Sequence, residues 1–265
     1  MAMEEERLVG GGHPGIDLYV YATSPFAAKV RCYLDYKGLL YNILYVDPLT
    51  RRQIAFTGQG QIPVLAVDGQ WRLDSTPIGI WLDELYPQPP LLPADALERQ
   101  RILELDDWVT ERLIPLLFRQ TFASGGGLGR LWDGWRLSHC LHRTRPMPLW
   151  LRLGWPWIVP AQAFIKEILA KTDPEASLTS LKEQMVAETV ERLAGGPFLG
   201  GRQTPSLADL SAFPMFVLPY ALGTGGQQPF LESKEVMEWL RRVQQQLPDD
   251  PLLLPADCLK NPLPL

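Results

Sequence analysis

The chain has 265 residues, of which 46% are hydrophobic and 21% charged, with a net charge of −5 and a pI near 5.3. This is the composition of an ordinary globular protein with room for one large or two modest domains, and it excludes the disordered class. Lys and Arg number 25 against 30 Asp and Glu, with no long basic run, so no nucleic-acid partner is expected.

In chain order, residues 1–15 (MAMEEERLVGGGHPG) are acidic and Gly-rich without an apolar stretch, and read as a flexible lead-in rather than a signal peptide. Residues 16–21 are β-prone. Residues 25–37 carry Val30, Tyr33, Leu34 and Lys37 at helical spacing, with Gly38 as the stop. Residues 41–46 are β-prone again, and Asp47-Pro48 opens a short helix through about Phe56. A strand over 62–67, an Asp68-Gly69 turn and a partner strand over 71–73 form a hairpin. An apolar helix after Ser75 ends before Pro87. The order βαβαββα predicts a thioredoxin-like α/β domain over 16–87 with a mixed sheet.

Residues 88–97 read as a Pro-rich, stiff linker. Beyond it only helical patterns follow, over 97–118, 161–171, 178–194, 206–222 and 234–247, giving an all-α domain over 98–250 and a Pro-rich tail over 251–265. The most apolar region, 148–168, holds Arg152, Pro156, Pro160 and Gln162 and does not read as a spanning helix. A cytoplasmic location is expected. Cys32, Cys140 and Cys258 form no CxxC pair, and His13, His139 and His142 lack partners for a metal set, so neither disulfides nor a metal are expected.

Four motifs stand out. Ser24-Pro25 is an N-cap followed by Pro at the first helical position. The same place aims a hydroxyl and free backbone N–H groups at an anion, such as the thiolate of a bound thiol. Lowering a thiol pKa by about two units takes ~2.7 kcal/mol. A hydrogen bond to a charged group supplies ~1.5–3 kcal/mol, and a helix terminus about 0.3–1. Ile62-Pro63 interrupts a strand start, either as an edge position or as a place where the Ile62 backbone is left to pair with an extended peptide. Asp74-Ser75 starts a helix with Ser75 as cap; an acidic group beside helix N–H groups also suits both ends of an α-amino acid. Ser206-Leu207-Ala208-Asp209 is a capping box, to which no chemistry is assigned.

In this order and spacing the four motifs resemble the cytosolic-type glutathione transferase superfamily, over about residues 16–250. The resemblance implies a thioredoxin-like domain joined to a helical bundle, glutathione as co-substrate without a metal, and a homodimer. Position by position, it implies that Ser24 contacts the glutathione sulfur. Ile62, before Pro63, would pair with the cysteinyl part, and Asp74 and Ser75 would grip the γ-glutamyl end. Val46-Asp47-Pro48, Arg51-Arg52, Asp106-Asp107-Trp108 and Leu199-Gly200-Gly201 are similar to the branch containing the type-2 prostaglandin E synthases. That branch has Cys-Pro-Phe-Cys where this chain has Ser24-Pro25-Phe26-Ala27. Dithiol exchange at this motif is therefore excluded. Tyr21 matches a tyrosine the branch places near the pocket; it either shares thiolate binding or simply finishes the first strand.

The function expected on this footing is a transferase that activates the glutathione thiol for attack on a small apolar electrophile, with Trp108, Glu111, Arg112 and Pro115 lining the second-substrate pocket. The alternatives are a non-catalytic binding or regulatory protein, a type-2-like prostaglandin isomerase, and a redox enzyme using Cys32. The Trp- and Arg-rich stretch from Phe122 to Pro160 is longer than the usual connection. Four roles are weighed for it: extra bundle packing, a roof over the pocket, a dimer contact, or a peripheral membrane contact.

Overall fold

The structure is a computed structural model that describes residues 15–122, 127–225, 229–261 and 263. Residues 1–14 of the lead-in, His13 among them, lie outside that set.

β1 (Ile16–Val20) buries Ile16, Leu18 and Val20 and leaves Asp17 and Tyr19 half-buried, the period-two pattern of a strand. It lies inside a four-stranded sheet ordered β2-β1-β3-β4, with β2 (Asn42–Tyr45), β3 (Val64–Val67) and β4 (Gln70–Leu73). β2 runs parallel to β1, which requires the crossover supplied by α1 (Pro25–Tyr36). β3 is antiparallel to both β1 and β4. Asp68 and Gly69 turn the β3–β4 hairpin at φ 49° and 81°, and α2 (Ser75–Leu85) follows. This is the expected thioredoxin-like domain with one local difference. The helix read from Asp47-Pro48 is instead a tight turn followed by a 3₁₀ helix over Arg52–Thr57. Asp47 Oδ1 accepts from the N–H groups of Leu49 (2.8 Å) and Thr50 (3.0 Å), and Arg51 at φ 50° ends that turn.

The segment after α2 is pinned rather than free. Lys37 Nζ donates to Asp83 (2.8 Å) and to the carbonyls of Tyr86 (2.6 Å) and Pro89 (2.8 Å), and the Leu91 and Leu92 N–H groups donate to the Asp83 carboxylate. The helical part runs α3 (Ala96–Trp108), α4 (Ile114–Phe122), α5 (Gly127–Thr144), α6 (Leu149–Ile158), α7 (Ala163–Leu169), α8 (Leu178–Leu193), α9 (Leu207–Leu222) and α10 (Lys234–Gln244). The single helix expected over 97–118 is divided by a π turn over Val109–Leu113, where Ile114 N–H reaches Val109 O. Pro115 explains it: proline has no N–H to donate and its ring crowds the carbonyl four residues back, and a π turn widens the helix at that point.

Every residue of α9 except Tyr220 is buried. α9 packs along α1, joined by a 2.6 Å hydrogen bond between Tyr33 Oη and Ser211 Oγ. A second tie, Lys29 Nζ to Asp106 Oδ1 at 3.3 Å, joins α1 to α3 with both side chains 1% exposed. Thr76 at the start of α2 donates to the other oxygen of Asp106.

The 122–160 stretch holds an antiparallel helical hairpin, α5–α6, which the sequence did not reveal. The helices touch where a Cβ on Gly134 would stand 2.8 Å from Pro156, so only glycine allows that approach. The stretch read as a Pro-rich tail also packs down. Leu252, Leu253 and Leu254 are buried, and the Arg31 guanidinium donates to the carbonyls of Leu252 and Asp250.

Candidate functional site

The strand registers gather three motifs at one end of the sheet. Tyr19 pairs with Val64 and Val64 with Leu73. The residues just after β1, just before β3 and just after β4 are therefore neighbours, in that lateral order. Two strand spacings of ~4.8 Å give a width of about 10 Å, the reach of an extended tripeptide at ~3.3–3.6 Å per residue.

At the β1 side, Ser24 is the N-cap of α1 at φ −81°, ψ 118°, and its Oγ accepts from Ala27 N–H at 3.3 Å. A hydroxyl has two acceptor sites and one donor, so capping leaves its hydrogen available. Pro25 removes one helix N–H and supplies the preset φ of a first helical residue. In the middle, the ladder begins only at Val64, so Ile62 and the cis Ile62-Pro63 peptide precede it and the Ile62 backbone lies outside the strand pairing.

At the β4 side the structure changes the assignment of the cap. Asp74, not Ser75, is the N-cap of α2, and it does not cap with its side chain. It sits at φ 66°, ψ 135°, a conformation a non-glycine residue adopts at a cost of order 1–3 kcal/mol. Its carboxylate is exposed beside the first turn of α2, whose first residue, Ser75, is buried.

Tyr21 follows β1. It packs against Val46, Ile54 and Val64, and also against Leu141, Met147 and Leu151 of the α5–α6 hairpin. Its hydroxyl is buried beside the Arg51 guanidinium. Burial pushes the phenol above its ordinary pKa, partly offset by the Arg51 guanidinium, so at neutral pH it is a neutral hydrogen-bond donor. The hairpin thus docks at the edge of the site through this residue. Sequence reasoning missed Arg51 as the cation acting on Tyr21, because its left-handed φ redirects a chain segment that composition reads as helix.

The expected second-substrate residues divide. Trp108 Nε1 donates to Glu188 Oε2 at 2.7 Å and Arg112 pairs with the same carboxylate, so both engage α8. Glu111 pairs with Lys171 at 2.7 Å, and Pro115 is buried. Trp108, Glu111 and Arg112 thus commit their polar groups to α8 and to the segment after α7. The one residue added at the π turn advances the helical phase by about 100°, which separates the face of Trp108, Glu111 and Arg112 from the one beyond it. Phe26, two residues after Ser24, instead gathers an aromatic cluster with Phe118 and Phe164. The Phe26 ring centroid lies 6.1 Å from that of Phe118 and 6.0 Å from that of Phe164.

Cys32 is fully buried and its thiol is pushed far up by burial, which leaves no thiolate for redox chemistry. Cys140 and Cys258 lie against each other in the interior, a pairing that sequence separation concealed.

Residues 18–90 match the family model described as glutathione S-transferase, N-terminal domain. The chain is similar to prostaglandin E synthase 2 of Danio rerio, 38% identical over 63 residues that cover 24% of this chain and 17% of that protein. It is also similar to maleylacetoacetate isomerase of Pseudomonas aeruginosa, 40% identical over 92 residues, 32% of this chain and 43% of that one. The match thus spans less than half the length of either relative. The solved structure of human glutathione transferase theta-2, in complex with glutathione and an unknown ligand, shares the fold at a TM-score of 0.61 and 19% identity, covering 88% of this chain and 82% of its own. Residues 18–90 thus carry the sequence pattern of a glutathione S-transferase N-terminal domain, and the fold of the whole chain is that of the solved glutathione transferases.

Proposed function

We propose that this chain is a glutathione-dependent enzyme that lays the tripeptide across the β1–β3–β4 end of the sheet and activates its thiol. The observation that carries this reading is the convergence, within the span of an extended tripeptide, of the Ser24 helix terminus, the unpaired Ile62 backbone and the exposed, non-capping Asp74 carboxylate. Ser24 Oγ–H and the α1 terminus stabilise the thiolate. Ile62 pairs with the cysteinyl peptide, and Asp74 and Ser75 hold the γ-glutamyl ammonium and carboxylate. The bound thiol loses its proton to water, and the sulfur forms a bond to the electrophilic carbon of a substrate resting on the Phe26, Phe118 and Phe164 cluster. The bond from that carbon to its leaving group breaks, and the leaving group departs with the electron pair. Trp108, Glu111, Arg112 and Pro115 are not carried into this pocket.

The anchoring and chemical roles separate experimentally. Asp74→Ala removes a charge-assisted contact made equally in ground and transition states, so the glutathione Kd and KM rise ~10-fold or more while kcat holds. Steady-state kinetics with glutathione as the varied substrate checks this, and a fall in kcat at unchanged KM contradicts the anchoring role.

A second reading, glutathione-dependent isomerisation, is favoured by the 40% identity with maleylacetoacetate isomerase over 92 residues. In it the thiolate adds to a conjugated alkene, the former double bond rotates, and elimination regenerates glutathione. Net consumption of glutathione under turnover marks transfer, and its conservation marks isomerisation. Prostaglandin isomerisation draws support only from 63 matched residues and lacks both sulfurs of the related motif.

A further inference from the structure

The α5–α6 hairpin presents an unusual surface. Of its exposed residues, eight are large and apolar: Leu128, Trp132 and Trp135 on α5, and Leu149, Trp150, Leu153, Trp157 and Ile158 on α6. They form one face, because Trp135 stacks edge-on with Trp157 at 6.4 Å and donates its indole N–H to Leu153 O at 2.9 Å. The remaining exposed residues described in the hairpin are Gly129, His139, Arg143, Pro146 and Pro148, and not one is a carboxylate. Trp132 and Trp150 are each 61% exposed. At ~150–250 Å² per large aromatic side chain, the four indoles alone leave on the order of 400 Å² in solvent, as much as the largest patch on a typical monomer.

We propose that this face docks the protein on an anionic lipid surface. Charge selects the occupant. Residues 127–160 contain five arginines against one aspartate, a net of +4 in a chain whose total is −5. Arg143 is partnered by Asp257 at the rim, and Asp133 is turned inward to accept from Gly225 N–H. A second copy meeting this face about a two-fold axis brings the same net-positive hairpin against itself. A leaflet carrying anionic headgroups offers the opposite charge and an apolar layer beneath it. Trp suits that boundary, with an apolar ring and an indole N–H left for a headgroup. Length fixes the mode: α6 has ten residues, about 15 Å, half of the ~30 Å hydrocarbon core. Among the described residues no helix is long and apolar enough to cross a membrane. The hairpin therefore lies in the interface plane. Because Tyr21 packs against the inner side of the same hairpin, an apolar substrate dissolved in the lipid is delivered close to the Ser24 end of the sheet.

Co-sedimentation of the full chain with vesicles of phosphatidylcholine plus phosphatidylglycerol tests this, with pure phosphatidylcholine vesicles as the comparison. The expected result is binding to the anionic vesicles about tenfold or more tighter than to the neutral ones, weakened by salt, with tryptophan emission shifted to shorter wavelength. The triple variant Leu149→Ser, Trp150→Ser, Leu153→Ser changes only exposed positions. It loses about tenfold or more of that affinity at an unchanged Tm. Trp132→Ser on α5 provides a second, independent loss. No sedimentation of the unaltered chain, equal binding by the variants, or equal binding to both vesicle types overturns the proposal. So does a dimer that ignores vesicles and is dissociated by the triple variant, which assigns the face to a second copy.

Discussion

Replacing Asp209 with alanine will lower stability by about 4–5 kcal/mol, the upper range of single substitutions. Asp209 is fully buried at the start of α9, and its carboxylate accepts four hydrogen bonds of 2.9 Å each. Ser206 N–H and Oγ close the helix start, Leu199 N–H anchors the turn before it, and Trp239 Nε1 brings in α10. Each donor left unsatisfied in the interior costs ~1–3 kcal/mol, and the helix that loses its start is the one packed against α1. For a chain of this size ~2–4 °C is lost per kcal/mol, so Tm falls by roughly 8–20 °C. Asp209→Asn recovers little, because one oxygen becomes an NH₂ facing donors. Thermal unfolding followed by circular dichroism measures the change. A loss below about 1 kcal/mol would mean that the four bonds are replaced by water.

Ser24→Ala will raise the pKa of the bound thiol by about one to two units, the equivalent of losing a ~1.5–3 kcal/mol hydrogen bond to a charged group. Turnover at neutral pH falls ~10–100-fold, and the pH–rate profile moves toward alkali by the same amount. The substitution also removes the cap on Ala27 N–H, which costs ~0.5–2 kcal/mol of stability. Ser24→Thr separates the two effects, since it keeps a hydroxyl at the same place and restores both. Tyr21, with its phenol held neutral by burial, adds no ionisation of its own between pH 6 and 9. Following thiolate absorbance of bound glutathione against pH reads the shift directly. An unmoved profile would transfer the task to Tyr21 or to the α1 backbone donors.

Much of the fold was legible because local signals agreed with one another. The alternation of Ile16, Leu18 and Val20, the Asp68-Gly69 turn and the Ser24-Pro25 helix start each define an element within a few residues, and their order leaves one mixed-sheet topology. What was hidden depended on phase and on distance. Around the π turn before Pro115, Trp108 and Arg112 engage Glu188 on α8 and Glu111 engages Lys171 after α7, an arrangement that a period of 3.6 carried through the segment does not anticipate. The α5–α6 hairpin was obscured by Pro146, Pro148 and Pro156, and because its most apolar residues face solvent rather than the core. The sequence pattern places the cap at Ser75, beside Asp74. The structure gives Asp74 the cap position and a positive φ, which Asp tolerates better than most residues, and this frees its carboxylate. The juxtaposition of Cys140 and Cys258 had no local signal at all.

The central claim is that the end of the sheet bearing Ser24, Ile62 and Asp74 binds glutathione, and thermal unfolding with and without the tripeptide tests it most directly. A ligand at a hundred times its Kd stabilises the folded state by ~2.7 kcal/mol, about 5–10 °C in Tm for a chain of this length. The account predicts that rise at millimolar glutathione and its reduction in Asp74→Ala; an unmoved Tm in the unaltered chain would contradict it.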